Sequence, residues 1–484
     1  MCVVGQKRMG EHESPRKMNL NRLKKGGKPA PLRCFALLLP VTIWSLFPFG
    51  ASASDTLNWR TNQNRVTADI QSSSLPNVLE RIASITGWQV FVEPDASHIV
   101  SAKFKNLPPG EALRLLLGDL SFALVPQTNA PAKLFVFRTS QQNATRLVRG
   151  KPGKGKVIPN ELIVTLKPGA KIDELAAMLG AKVVGRIPGL NAYRLQFGDA
   201  AAANAARDQL ASSPDVTSVD NNYSIDRPPL PLEGSLGGTA TPHLELRPPP
   251  ANGRVVVGLV DTAVQPLGND LDRFMLKPIS IAGDPQLSPD TPTHGTSMAE
   301  TVLRGLEMST KGSTSVQILP VDVYGPNVNT STFEVANGIV QAINNGANVI
   351  NLSLGSEGDS PFLRDVIKDA IQNKIALFAA AGNEPVTTAF FPAAYSDLGV
   401  NAVTAIDHGQ LAPYANRGSF VTLGAPGTSL ISFNGQQWIA QGTSASSAVA
   451  TGLAAGYMDS THSSVDKMQS FITATLGVKI SPGK

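Results

Sequence analysis

Four short segments of this 484-residue chain carry residue types that can do covalent chemistry together. Residues 258–264 end an apolar run on a carboxylate, Asp261, and residues 293–296 set an imidazole, His294, at the start of a helical pattern. Residues 379–384 bring the amide of Asn383 to the end of another apolar run, and residues 442–446 open a small-residue helix on the hydroxyl of Ser444. A serine hydroxyl is a weak nucleophile until a base takes its proton, and an imidazole does this best when a buried carboxylate fixes its tautomer. The Asn383 amide, joined by the Ser444 backbone N–H, can receive the negative oxygen of a tetrahedral intermediate. Acyl transfer through a serine is the chemistry these residues would support. Singly, each has a plainer reading: Asp261 with Thr262 as a turn, His294 and Ser444 as helix caps, Asn383 as part of a Gly-Asn turn. What distinguishes the set is its order and its common place at element ends.

Those ends belong to an alternating pattern that begins at Arg254. Strands are expected over 255–260, 316–323, 348–354 and 375–380, and helices over 294–306, 331–345, 361–373, 446–458 and 465–476. The first strand is continuously apolar, as a strand covered on both faces must be. Such alternation predicts an α/β domain with a parallel sheet and helices on both sides, and ligands in that class bind at the carboxyl ends of the strands.

With Asp261, His294, Asn383 and Ser444 in this order, residues 254–484 resemble the subtilisin-like (subtilase) serine endopeptidases. The resemblance implies that Asp261 orients the base, His294 is general base and then acid, Ser444 is the acylating nucleophile, and Asn383 stabilises the oxyanion. It further implies that Ser353, Leu354 and Gly355 bind an extended peptide by backbone hydrogen bonds, with Ala380, Ala381 and Gly382 as the opposite wall of the S1 pocket. Polypeptides are then the substrates, with broad specificity tilted toward apolar P1 residues. Residues 295–299 read Gly-Thr-Ser-Met-Ala, closer to the family's serine motif than 442–446 do. Yet Ser297 follows His294 by three residues and precedes Asn383, so capping and packing explain it better. Ala448 stands where the family usually has proline and Val449 where it often has histidine. Ser297 and Glu300 replace the usual histidine and glycine. These departures motivate a rival reading, a catalytically silent subtilase scaffold that binds peptides or serves envelope signalling. No cofactor is expected; calcium binds related proteases through scattered loops, but no Asp-rich calcium motif is visible here. His98, His243, His408 and His462 have no partners at metal-ligand spacing, which leaves them surface or turn roles.

Two small α+β domains are expected ahead of the parallel sheet. Residues 157–226 read strand, helix, strand, strand, helix, strand, the ferredoxin-like arrangement. Through residues 160–167 and 215–220 they resemble the inhibitory propeptide of subtilases. Residues 227–253, rich in proline and glycine, read as a cleavable linker, and 141–156 as a polar one. Residues 54–140 hold another strand and helix pattern, with Leu79, Ile82 and Ala83 at helical spacing and no nucleophile–base pair. Through residues 75–79, 86–91 and 107–117 they resemble the short periplasmic domain of secretins and TonB-dependent receptors, which implies an envelope partner.

Residues 1–53 read as a secretory leader: basic residues, an apolar stretch over 34–50, then Ala51-Ser52-Ala53. The stretch is shorter than the ~20 residues of a membrane span and is interrupted by Pro40 and Pro48. Translation starting at Met9 or Met18 would shorten the basic part. Both cysteines, Cys2 and Cys34, lie in this leader, so a chain cut after Ala53 has no thiol. Of 42 Lys/Arg and 37 Asp/Glu, nine and two fall within the leader, which leaves 33 and 35 beyond it. The basic excess therefore belongs to the leader, and nucleic-acid binding loses its support. With 42% hydrophobic and 16% charged residues, the chain fits neither a disordered nor a membrane-spanning class. An exported protein is expected, periplasmic, outer-membrane-associated or secreted, with no transmembrane span after leader removal.

Overall fold

The computed structural model describes residues 56–60, 65–86, 88–94, 96–126, 132–148, 156–234, 241–251 and 253–478. The expected leader, with its cleavage motif and both cysteines, lies outside the described residues. Two compact units divide the rest, one of residues 56–141 with 148, the other of 142–147 with 156–478. Among the described residues no helix is long and apolar enough to cross a membrane.

The first unit is built on the helices Leu75–Thr86 and Pro109–Leu117. Leu79, Ile82 and Ala83 are buried, as their helical spacing requires. Arg65–Ser74 pairs antiparallel with Ile99–Leu107, and Gln89–Val92 runs parallel to Lys133–Phe137. A strand that periodicity missed, Thr56–Arg60, covers the edge of Arg65–Ser74.

The second unit opens with the expected βαββαβ segment: β1 (Val157–Leu166), α1 (Ile172–Met178), β2 (Lys182–Ile187), β3 (Ala192–Gln196), α2 (Ala200–Ala211) and β4 (Val216–Asp226). Its strands lie in the order β4-β1-β3-β2. Leu162, Val164, Leu195, Ala203, Ala206 and Leu210 close one core between this sheet and its helices.

The parallel-sheet domain follows with β5 (Leu232–Glu233), β6 (Val256–Asp261), α3 (His294–Thr310), β7 (Gln317–Asp322), β8 (Asn329–Ser331), α4 (Thr332–Asn344), β9 (Val349–Leu352), α5 (Pro361–Gln372), β10 (Ala376–Ala380), β11 (Asn401–Asp407), β12 (Leu423–Pro426), β13 (Thr428–Phe433), β14 (Gln436–Gln441), α6 (Thr443–Thr461) and α7 (Val465–Leu476). The order is β7-β6-β9-β10-β11, with β12 beside β11, and every one of these pairings is parallel. Val257 and Leu259 of β6 join the core shared with α3, α6 and α7, whereas Val260 faces Gly338 of α4. Alternate residues thus serve opposite layers, which is why the strand has no polar side chain before Asp261.

α6 is buried almost throughout its length, with a run of small residues from Ala445 to Ala455. It crosses α3 where Gly452 meets Gly305: a Cβ on Gly452 would stand 2.1 Å from the Val302 carbonyl oxygen. Only two glycines permit so close an approach, and it fixes the helix that begins at His294 against the helix that carries Ser444. Residues 227–253, expected to be a plain linker, are partly bound to the domain. Leu232–Glu233 pairs with β14, and Glu245–Leu246 pairs with Ser313–Thr314. Asp459, almost fully buried near the end of α6, accepts from Arg247 at 2.8 Å and anchors that second stretch. The 141–148 stretch likewise contains a short turn of 3-10 helix, Gln141–Asn143, and a strand, Arg146–Val148.

Candidate active site

Asp261 is the last residue of β6, and His294 is the first of α3. Local sequence draws these two ends together. Thr293 caps α3 by accepting from Thr296 N at 3.0 Å, while its own hydroxyl donates to the Ala263 carbonyl. Gly295 N donates to Thr262 Oγ1 at 2.7 Å, and Thr293 N to Gln265 Oε1 at 2.7 Å. The turn after β6 is thereby sewn to the first turn of α3. As a result His294 Nδ1 lies 2.7 Å from Asp261 Oδ1, which also accepts from Thr262 N at 2.7 Å. Asp261 is fully buried and His294 is 6% exposed. A carboxylate only accepts, so Nδ1 carries the proton and Nε2 is left as the basic nitrogen.

Ser444 sits in the first turn of α6, where backbone N–H groups have no partner within the helix. Asn383 Oδ1 accepts from Thr443 N at 2.8 Å and from Thr443 Oγ1 at 3.0 Å. Because Thr443 N can only donate, the amide orientation is settled and its Nδ2 donors remain for the exposed side of Asn383. The predicted peptide-binding strand joins the same cluster: Ser353 Oγ donates to Ser444 O at 3.0 Å, and Gly382 N donates to Thr443 Oγ1 at 3.1 Å. Buried Asn351 supports it from below, donating to Ser353 Oγ and accepting from Ser447 and Thr451 of α6. The Ser444 hydroxyl donates to the Ser353 carbonyl at 3.2 Å, and no hydrogen bond joins it to His294. Both pairs nevertheless meet at neighbouring strand ends, since Val260 is in register with Leu352 one step before Asp261 and Ser353.

Several residues around the pairs have roles that the motifs did not assign. Thr443 and Asn351 orient the serine turn. Asp322, in register with Asp261 on β7, is raised in pKa by burial, and an oxygen of each carboxylate is buried without a partner. Glu300 lies fully buried one and a half turns into α3; both its oxygens accept from Ser432 N of β13, at 3.1 and 3.0 Å, and Arg304 donates to it at 2.9 Å. Burial pushes its pKa up to about 7. Ser297, which mimics a catalytic motif in sequence, donates to the Thr293 carbonyl at 3.0 Å, an ordinary back-bond inside a helix. Among the described residues no group of three or more His, Cys, Asp or Glu side chains could hold a metal ion.

Comparison with known proteins agrees with this architecture. Residues 252–480 match the subtilase family, and residues 143–222 match the fervidolysin N-terminal prodomain. A thermophilic serine proteinase of Bacillus sp. (strain AK1) is 27% identical over 322 residues, 62% of this chain and 78% of that protein. A thermostable alkaline protease of Halalkalibacterium halodurans is 35% identical over 171 residues, 34% of this chain and 47% of that protein. The epidermin leader peptide processing serine protease of Staphylococcus aureus shares the fold, with a TM-score of 0.50 at 18% identity over 65% of this chain and 92% of that one. The chain thus carries the domains of a subtilisin-like serine protease: residues 252–480 match the subtilase family and lie behind a fervidolysin-like prodomain over residues 143–222.

Proposed function

We propose that the chain is an exported endopeptidase precursor in which Asp261, His294 and Ser444 pass a proton along one line and Asn383 receives the oxyanion. The observation that carries this reading is the 2.7 Å contact between His294 Nδ1 and a fully buried Asp261. With Nδ1–H held, Nε2 takes the Ser444 proton as Oγ attacks the substrate carbonyl carbon. Asn383 Nδ2 and the Ser444 N–H stabilise the resulting oxyanion. His294 then returns the proton to the leaving amine as the C–N bond breaks, and water repeats the cycle to release the acyl group. Asp261 orients the imidazole and stabilises the charge it gains. Extended peptide lies along Ser353, Leu354 and Gly355, with Ala380, Ala381 and Gly382 opposite.

The prodomain restrains this site by occupying its approaches. Its last strand, β4, pairs antiparallel with β8 at Ser224, Ile225 and Asp226. Asn222 accepts from Thr332 Oγ1 and Phe333 N, capping α4 from outside, and Arg194 reaches Glu334 at 3.1 Å. The chain then runs on to Leu232, which pairs with Ile439 in the strand leading into Ser444. Residues 227–231 therefore connect the strand paired with β8 to the strand paired with β14, which precedes Ser444. Self-cleavage between Tyr223 and Arg254 releases the restraint. Residues 54–140 act as the docking module toward a secretin- or TonB-linked envelope partner.

The second reading is a silent scaffold, favoured by the Ser444 hydroxyl bonding to Ser353 O instead of the imidazole. A hydroxyl rotates among staggered positions, so this bond is compatible with a resting nucleophile. Casein hydrolysis by the purified chain, together with self-processing, tests the choice. Both activities are expected in the wild type and neither in His294→Ala; a folded wild type without either supports the scaffold.

A further inference from the structure

The slot that should receive the substrate side chain next to the cleaved bond is bordered by an aromatic ring of this chain. Its walls are residues 353–355, just beyond β9, and 380–382, at the end of β10. Ser353 is bonded to Ser444 and Gly382 to Thr443, so the slot opens beside the nucleophile. Each wall ends in a glycine, and side-chain-free walls ordinarily leave room for a guest. Here Phe390 borders both glycines, alongside Asn416 Nδ2 on the Gly382 side and the Phe391 carbonyl oxygen on the Gly355 side, which lie 2.5 and 2.6 Å from where a Cβ would stand. The Phe390 Cε1 and Cδ1 atoms lie 2.5 and 3.0 Å from where a Cβ on Gly355 would stand, and its Cγ lies 3.2 Å from where a Cβ on Gly382 would stand.

The ring is held there by backbone. Phe391 N donates to Ser356 O at 2.7 Å and Ser356 N to Phe391 O at 2.9 Å, which fastens the segment to one wall. Ala394 N donates to Phe390 O at 2.8 Å and closes the following turn. Phe390 is half-buried, which leaves part of it facing the open slot. Moving the ring aside would mean breaking this short ladder or rotating a packed aromatic against both glycines.

We propose that Phe390 determines specificity: it shortens the S1 slot so that small residues such as alanine are preferred at P1 and aromatic ones are excluded. This rests on Ser444 being the nucleophile and narrows the apolar P1 preference read from sequence. The test uses the protein expressed as the full chain and allowed to process itself, with three peptide p-nitroanilides that differ only at P1, as Ala, Leu or Phe. A pocket too short for a side chain discriminates through kcat/KM, by about tenfold or more for several methylene equivalents. Wild type is expected to favour Ala over Phe by at least that factor. Phe390→Gly should raise kcat/KM for the Phe substrate tenfold or more while the Ala substrate changes little or declines, and Phe390→Leu should fall between. Wild type that prefers P1 Phe overturns the inference even where the variants fail to fold, and so does an unchanged Ala-to-Phe ratio in folded Phe390→Gly. Absence of any hydrolysis, with no fluorophosphonate labelling, overturns the catalytic reading and this inference with it.

Discussion

The two halves of the active site are built differently. Asp261 and His294 form a closed half: both are buried, the imidazole is fixed at 2.7 Å, and four hydrogen bonds stitch the surrounding turns together. Ser444 and Asn383 form an open half: the serine is half-buried with its hydroxyl on the Ser353 carbonyl, and the asparagine is exposed and held through one end of its amide. On the proposed roles, the base is therefore oriented before substrate arrives, while the proposed nucleophile and oxyanion donor retain a rotor each at the cleft surface. Preorganised acceptors cost no reorganisation at the moment of reaction, and a serine that must stay accessible cannot be buried in the same way.

Substitutions can break or sharpen this contrast. Ser444→Ala and His294→Ala should each lower kcat by about a millionfold, the size of loss known for subtilisin itself, with folding unchanged by circular dichroism. A residual activity near wild type would place the nucleophile elsewhere. Asp261→Asn should lower kcat by about 10⁴-fold through the wrong imidazole tautomer. Its melting temperature should nevertheless hold or rise, because the native carboxylate keeps one buried oxygen without a partner. A large drop in melting temperature would mean that the closed half serves the fold first. Asn383→Ala should cost about 10²–10³ in kcat with KM little changed, as reported for the equivalent amide of subtilisin.

The smallest effect concerns Glu300, which ties α3 to β13. Its pKa is raised to about 7 in the folded protein by burial. Its stabilising contribution is thus fully present below the unfolded value of about 4.5 and is lost as pH rises through 7. Denaturant midpoints measured from pH 5 to 8 should fall across that window in wild type, and Glu300→Gln should flatten the slope. An identical slope in the variant would assign the pH dependence to another group.

Much of this arrangement was legible in the sequence, and the reasons differ by region. The β6, β9 and β10 strands announce themselves as apolar runs, and each ends on or just before a residue of the site. The helix that carries Leu79, Ile82 and Ala83 forms where their spacing puts it, as Leu75–Thr86. Strands β11 and β12 were not anticipated, because Asn401 and Thr404 interrupt the apolar run of β11, and Gly424 and Pro426, poor strand formers, break that of β12. The β13–β14 hairpin did leave a signal: Asn434 and Gly435 form its two-residue turn, both with positive φ, the usual chemistry of such turns. At the site, the motif residues were readable because their chemistry is unusual at strand ends. The supporting roles of Asn351 and Thr443, and the place of Phe390, were not, since ordinary residue types acquire such roles only from neighbours distant in sequence. Residues 227–253 read as a loose linker by composition, and tertiary pairing of Leu232–Glu233 and Glu245–Leu246 overrode that expectation.

The most direct test of the proton-passing line is to treat the purified chain with a fluorophosphonate and map the adduct by peptide mass spectrometry. The account predicts a single label on Ser444, formed in wild type, much slower in His294→Ala and absent in Ser444→Ala. A label on Ser297 or any other serine, or a folded wild type that stays unlabelled, would contradict it.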